Sequence, residues 1–124
     1  MEQDFNTSIR TDGTRIMTGT EYQKLAMRTK KENMTREEYL IEGCLGLAGE
    51  AGEVCDYVKK HIYQGHEFDY THVAEEISDV LWYTALTATA IGWDLNDIME
   101  MNIEKLKKRY PEGFSVMNSI NRTE

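Results

Sequence analysis

Apolar residues recur at helical spacing through most of this chain. Leu40, Cys44, Leu47, Ala51, Val54, Val58 and Ile62 step by three or four residues and form one stripe, which predicts a long helix. Thr35 followed by Glu38 has the capping-box spacing that starts such a helix, and Gly65 ends it. A second helix is predicted from a cap at Asp69 or Thr71 to Ile91, with Val73, Ile77, Val80, Leu81, Thr84, Ala88 and Ile91 facing inward and Gly92 as its stop. Asp94 caps a third, whose Leu95, Ile98, Met99, Ile103 and Leu106 make a buried face before Tyr110 and Pro111. A short helix over Thr20 to Arg28 places Tyr22, Leu25 and Ala26 on one side, and Lys30 to Met34 makes a polar connection. Residues 1–18 are polar and aperiodic, a flexible or partner-ordered arm ahead of one helical domain over residues 19–124.

No segment alternates at period two with β-branched residues, so the fold class is all-α, an antiparallel helical bundle. Three long helices and one short one bury little by themselves in 124 residues. Completion by self-association is therefore expected, with the small-residue stretch Thr84 to Ala90 as a candidate contact face.

Composition narrows the class of partner. With 14 Lys and Arg against 22 Asp and Glu, the net charge of −8 excludes a chain that holds nucleic acid by its phosphates alone. No apolar run approaches the roughly 20 residues of a membrane span, and the first residues lack the pattern of a signal peptide, so the expectation is a cytoplasmic protein without a membrane partner. Cys44 and Cys55 on one helix lie roughly 16 Å apart, too far for a disulfide, and read as thiols.

The stretch Gly46-Leu47-Ala48-Gly49-Glu50-Ala51-Gly52-Glu53 carries the candidate chemistry. Three glycines inside a helix cost roughly 1 kcal/mol each against alanine, so something should offset them. Gly46, Gly49, Glu50 and Glu53 share one side of the helix. Two solvated glutamates beside a glycine packing face would be the plainer reading. Against it, Glu50 borders the apolar stripe between Leu47 and Val54, and no lysine or arginine sits one turn from Glu50 or Glu53.

The following helix repeats the spacing with Glu76 and Asp79 among Val73, Ile77 and Val80, while Glu75 points toward solvent. Two such pairs on adjacent antiparallel helices can converge, and four oxygen donors without a spaced histidine favour Mg²⁺, or Mn²⁺ as a substitute, over zinc or iron. His61, His66 and His72 read as surface or loop residues. Asn102, Lys105 and Arg109 form a donor stripe on the last helix, either a solvated basic face near a helix C-terminus or the groups that, with a metal, neutralise a polyphosphate. Trp82 and Trp93 read as core first and as base-stacking candidates second.

The pair Glu50/Glu53, the 22 intervening residues 54–75 and the pair Glu76/Asp79 resemble the signature of MazG-like nucleotide pyrophosphohydrolases of the all-α NTP pyrophosphatase superfamily. Tyr22-Gln23, Gly46 to Glu53, Glu76 to Tyr83 and Asn102 to Phe114 extend that resemblance over roughly residues 22–114. It implies a MazG-like bundle that cleaves nucleoside triphosphates to the monophosphate and pyrophosphate with Mg²⁺. It also implies Glu50, Glu53, Glu76 and Asp79 as metal ligands, with Lys105, Arg109, Asn102 and Tyr83 on the substrate. A homodimer or homotetramer would complete the pocket. Since the reaction is attack of water on phosphorus, Glu50 or Glu53 would take the water's proton. Two narrower or different readings accompany it: a dUTP/dCTP or phosphoribosyl-ATP pyrophosphohydrolase, and a non-catalytic helical interaction module with a structural ion.

Overall fold

The computed structural model describes residues 11–122. Of the arm expected over 1–18, residues 1–10 lie outside that range, and Thr18 closes the remainder as the N-cap of the first helix. Five helices follow: α1 (Gly19–Ala26, continued by a 3-10 turn Met27–Thr29), α2 (Arg36–Gln64), α3 (Tyr70–Ala90), α4 (Leu95–Arg109) and α5 (Val116–Ile120). Among the described residues there is no strand, only an isolated bridge between Pro111 and Gly113, so the fold is all-α.

Caps set the boundaries. The Thr35 hydroxyl accepts the Glu38 amide at 3.1 Å while the Glu38 carboxylate accepts the Thr35 amide at 3.3 Å, and Gly65 closes α2 in the left-handed region at φ 70°. Asp69 and Asp94 accept the amides of Thr71 and Asn96 at the starts of α3 and α4.

The long helices α2 and α3 form an antiparallel hairpin. At its open end the Arg36 guanidinium donates to the Ala90 carbonyl at 2.6 Å, and at its closed end Tyr57 meets His72. Two glycines allow the close approach between them. A Cβ on Gly43 would lie 2.4 Å from the Thr87 hydroxyl and 3.2 Å from Thr87 backbone atoms; one on Gly46 would lie 2.1 Å from the Tyr83 ring. Gly49 and Gly52 have no such neighbour within 4 Å. The glycine contact with α3 therefore involves Gly46 and, unnoticed in the sequence, Gly43, but not Gly49 or Gly52.

The short helix α1 braces the open end. Gln23 donates its side-chain amide to the Thr89 hydroxyl and the Trp93 carbonyl and accepts the Leu95 amide at 2.7 Å, tying α1 to the turn between α3 and α4. Trp82 donates to the Thr29 hydroxyl at 2.8 Å and the Ala26 carbonyl at 3.2 Å, which assigns it to the α1–α3 packing instead of a base-stacking surface.

The core is smaller than the periodicity predicted. Ala85, Leu86, Ala88, Ala90 and Leu95 are buried, whereas Cys44, Ala51 and Ile62 of the α2 stripe are exposed. On α4, Met99 and Ile103 are about half exposed. A stripe needs a partner element, and among the described residues α2 packs chiefly on α3, which docks on the Gly43–Gly46–Glu50 line beside the stripe. The stretch Thr84 to Ala90 is not the free contact face expected of it, because its alanines and Leu86 are already packed within the chain.

Candidate metal centre

The register that seats Thr87 against Gly43 and Tyr83 against Gly46 carries on along the hairpin. One turn further it brings Glu50 toward Asp79 and Glu76. Single carboxylate oxygens of Glu50, Glu76 and Asp79 lie within 4.8 Å of one another, close enough for one cation to touch all three. Glu50 and Glu76 are half-buried and Asp79 is exposed, so the cluster is shielded on the hairpin side and open outward.

The cluster bears the electrostatic mark of crowded negative charge. The Glu50 carboxyl is held above its ordinary value, first by desolvation, then by the charges of Asp79, Glu76 and Glu53, and by a hydrogen bond with the Glu76 side chain. Every charge acting on Glu50 is a carboxylate, with no lysine or arginine among them. Tyr22 of α1 also feels the cluster, its hydroxyl being raised by burial and then by Asp79. Oxygen donors in surplus suit a hard divalent ion, Mg²⁺ or Mn²⁺, and the residues present fit one.

Glu53 stands apart from the other three. It is exposed and does not join the 4.8 Å group, although its charge reaches Glu50. Tyr83 lies one turn beyond Asp79 on α3, half-buried, with its ring over Gly46 and edge-on to Trp82 at 5.0 Å. Asn102 and Lys105 are exposed on α4, whose packing partners are α1 and α3, and Arg109 is half-buried beside the Tyr110 ring.

His72 is a surface residue, as read, and it also touches the cluster. Its Nε2 lies 3.3 Å from Glu76 Oε1 and its ring sits 4.2 Å from that of Tyr57. The spacing of four residues between His72 and Glu76 was the available signal. His61 instead bonds the His66 carbonyl at 2.8 Å and packs on Phe68 in the hairpin loop.

A family model described as the MazG nucleotide pyrophosphohydrolase domain matches residues 41–114, a span that contains all eight candidate residues. The Gene 37 protein of Mycobacterium phage L5 is 30% identical over 82 residues, covering 63% of this chain and 72% of that protein. No solved structure matches the chain.

Proposed function

Because the chain belongs to the MazG nucleotide pyrophosphohydrolase family, we propose that it is a magnesium-dependent enzyme that splits ribo- or deoxynucleoside triphosphates into the monophosphate and pyrophosphate. The observation that carries this reading is the convergence of Glu50, Glu76 and Asp79 from two helices within 4.8 Å. A structural ion alone would not require a donor stripe such as Asn102, Lys105 and Arg109 on another helix of the same matched domain.

Glu50, Glu76 and Asp79 would hold the metal in this reading, with Glu53 a fourth carboxylate not fully committed to it, and bound Mg²⁺ would supply positive charge to phosphate oxygens and acidify a water. Glu53, which stands outside the three-oxygen group, takes the proton from the attacking water. The water oxygen bonds to the α-phosphorus, the bond from that phosphorus to the oxygen bridging to the β-phosphorus breaks, and pyrophosphate leaves with the bridging oxygen. Lys105 and Arg109 balance the charge that builds on it, while Asn102 and Tyr83 contact the rest of the nucleotide.

Residues 19–124 act as one helical domain behind the arm 1–18, in the cytoplasm, cleansing the nucleotide pool. A homodimer or homotetramer completes the pocket, in keeping with Leu45, Ile62, Ile77 and Ile103, which are roughly half to two-thirds exposed in the single chain. The test is a panel of nucleoside triphosphates incubated with the protein in Mg²⁺, read by pyrophosphate release. Release that stops in excess chelator is expected. Turnover unaffected by chelator, or none with any nucleotide, would contradict the proposal.

A further inference from the structure

We propose that His72 is a positioning residue for the cation site, holding the Glu76 carboxylate in the orientation that Glu50 and Asp79 share. This rests on the reading of Glu50, Glu76 and Asp79 as metal ligands and adds a residue outside the four paired carboxylates. His72 Nε2 stands 3.3 Å from Glu76 Oε1, one helical turn before it on α3. At that distance the two atoms are in contact without a formed hydrogen bond, and a neutral imidazole with its proton on Nε2 would complete one by a small turn of the ring. A glutamate with three side-chain torsions, beside two like charges, needs such an anchor if it is to present the same oxygen to an ion each time.

The histidine is itself fixed from the opposite helix. The Tyr57 ring of α2 lies 4.2 Å from the imidazole, tilted by 44°, and 5.5 Å from Phe68. The Tyr57 hydroxyl accepts the Asp69 amide at 2.9 Å and donates to the Glu67 carbonyl at 3.4 Å. Asp69 is the N-cap of α3. A continuous set of contacts therefore runs from the hairpin loop through Tyr57 and His72 to Glu76. Phe68 of the loop backs Tyr57, which bounds the imidazole on its α2 side, while the His72 side chain, 42% exposed, otherwise faces outward.

The experiment measures Mn²⁺ binding by the loss of the free-ion electron paramagnetic resonance signal, on the full chain without nucleotide. His72→Phe keeps a ring against Tyr57 but removes the donor, His72→Gln restores an amide donor near the Nε2 position, and Asp79→Asn serves as the ligand control. His72→Phe is expected to weaken Mn²⁺ binding by about 10- to 100-fold, with His72→Gln recovering most of it. The metal-free variants should both melt cooperatively, with Gln melting below Phe because it gives up the ring against Tyr57, so that the order of stability is opposite to the order of binding. If His72→Phe binds as tightly as wild type, or if Phe and Gln weaken binding equally, the positioning role is overturned. Asp79→Asn would still lose binding in that case, leaving the metal site standing. If wild type and Asp79→Asn bind Mn²⁺ alike, the metal site itself fails and the role of His72 goes with it.

Discussion

Alanine substitutions at the α2 glycines separate packing from helix propensity. Each replacement gains about 1 kcal/mol of helix propensity, so an alanine that meets nothing should stabilise the chain. Gly49→Ala meets that condition, because its Cβ has no neighbour within 4 Å. Gly46→Ala does not. Its Cβ would stand 2.1, 2.2 and 2.5 Å from three atoms of the Tyr83 ring, and the ring is backed edge-on by Trp82. Relieving that overlap requires the ring to leave its place or the helices to part, at a cost of about 1–3 kcal/mol, up to about 2 kcal/mol beyond the propensity gain. Gly46→Ala and Gly49→Ala should thus differ by roughly 1–3 kcal/mol in urea unfolding at unchanged m-value. Tyr83→Ala is expected to remove most of that difference when combined with Gly46→Ala, since the clash partner is gone. Equal stability of Gly46→Ala and Gly49→Ala would refute the close approach of α2 and α3 at Tyr83.

Three further outcomes are expected. The Glu50 carboxyl is raised in the folded state, so the folded chain binds the extra proton and loses stability as pH climbs from below 4.5 through the raised value. In chelator, Glu50→Gln should therefore melt above wild type at pH 7, with the gap closing below about pH 4; a variant that melts below wild type at pH 7 would contradict the crowding of carboxylates. Gln23→Ala strands the Leu95 amide and unties α1 from the α3–α4 turn, and should cost about 1–3 kcal/mol in thermal or urea unfolding, whereas no loss would show the clasp to be idle. Asp79→Ala and Glu53→Ala should both abolish pyrophosphate release, but only Asp79→Ala should weaken Mn²⁺ binding strongly, because Glu53 lies outside the three-oxygen group; equal loss of binding would place Glu53 among the ligands in full.

The helix boundaries were legible because their signals are local. Thr35, Asp69 and Asp94 cap as their side chains dictate, and Gly65 and Gly92 adopt positive φ where the periodic runs end. The approach of Glu50 to Glu76 and Asp79 was legible in part from two three-residue spacings on antiparallel helices, although the same spacing brought in Glu53, which stands outside the group. Burial was less legible. Periodicity marks a face that needs covering, and Ile62, Ile77 and Ile103 remain substantially exposed when one chain supplies too few helices to cover them. Gly43 was overlooked because nothing in the sequence distinguishes a glycine under Thr87 from one under water. His72 is exposed as its reading has it, while its contacts with Glu76 and Tyr57 depend on the register of α2 on α3.

Anomalous diffraction from crystals grown with Mn²⁺ addresses the central claim most directly. The account expects a peak within coordination distance, about 2.0–2.2 Å, of oxygens from Glu50, Glu76 and Asp79 together. Ordered protein with no peak there, or a manganese ion held elsewhere while those three side chains part into solvent, would contradict it.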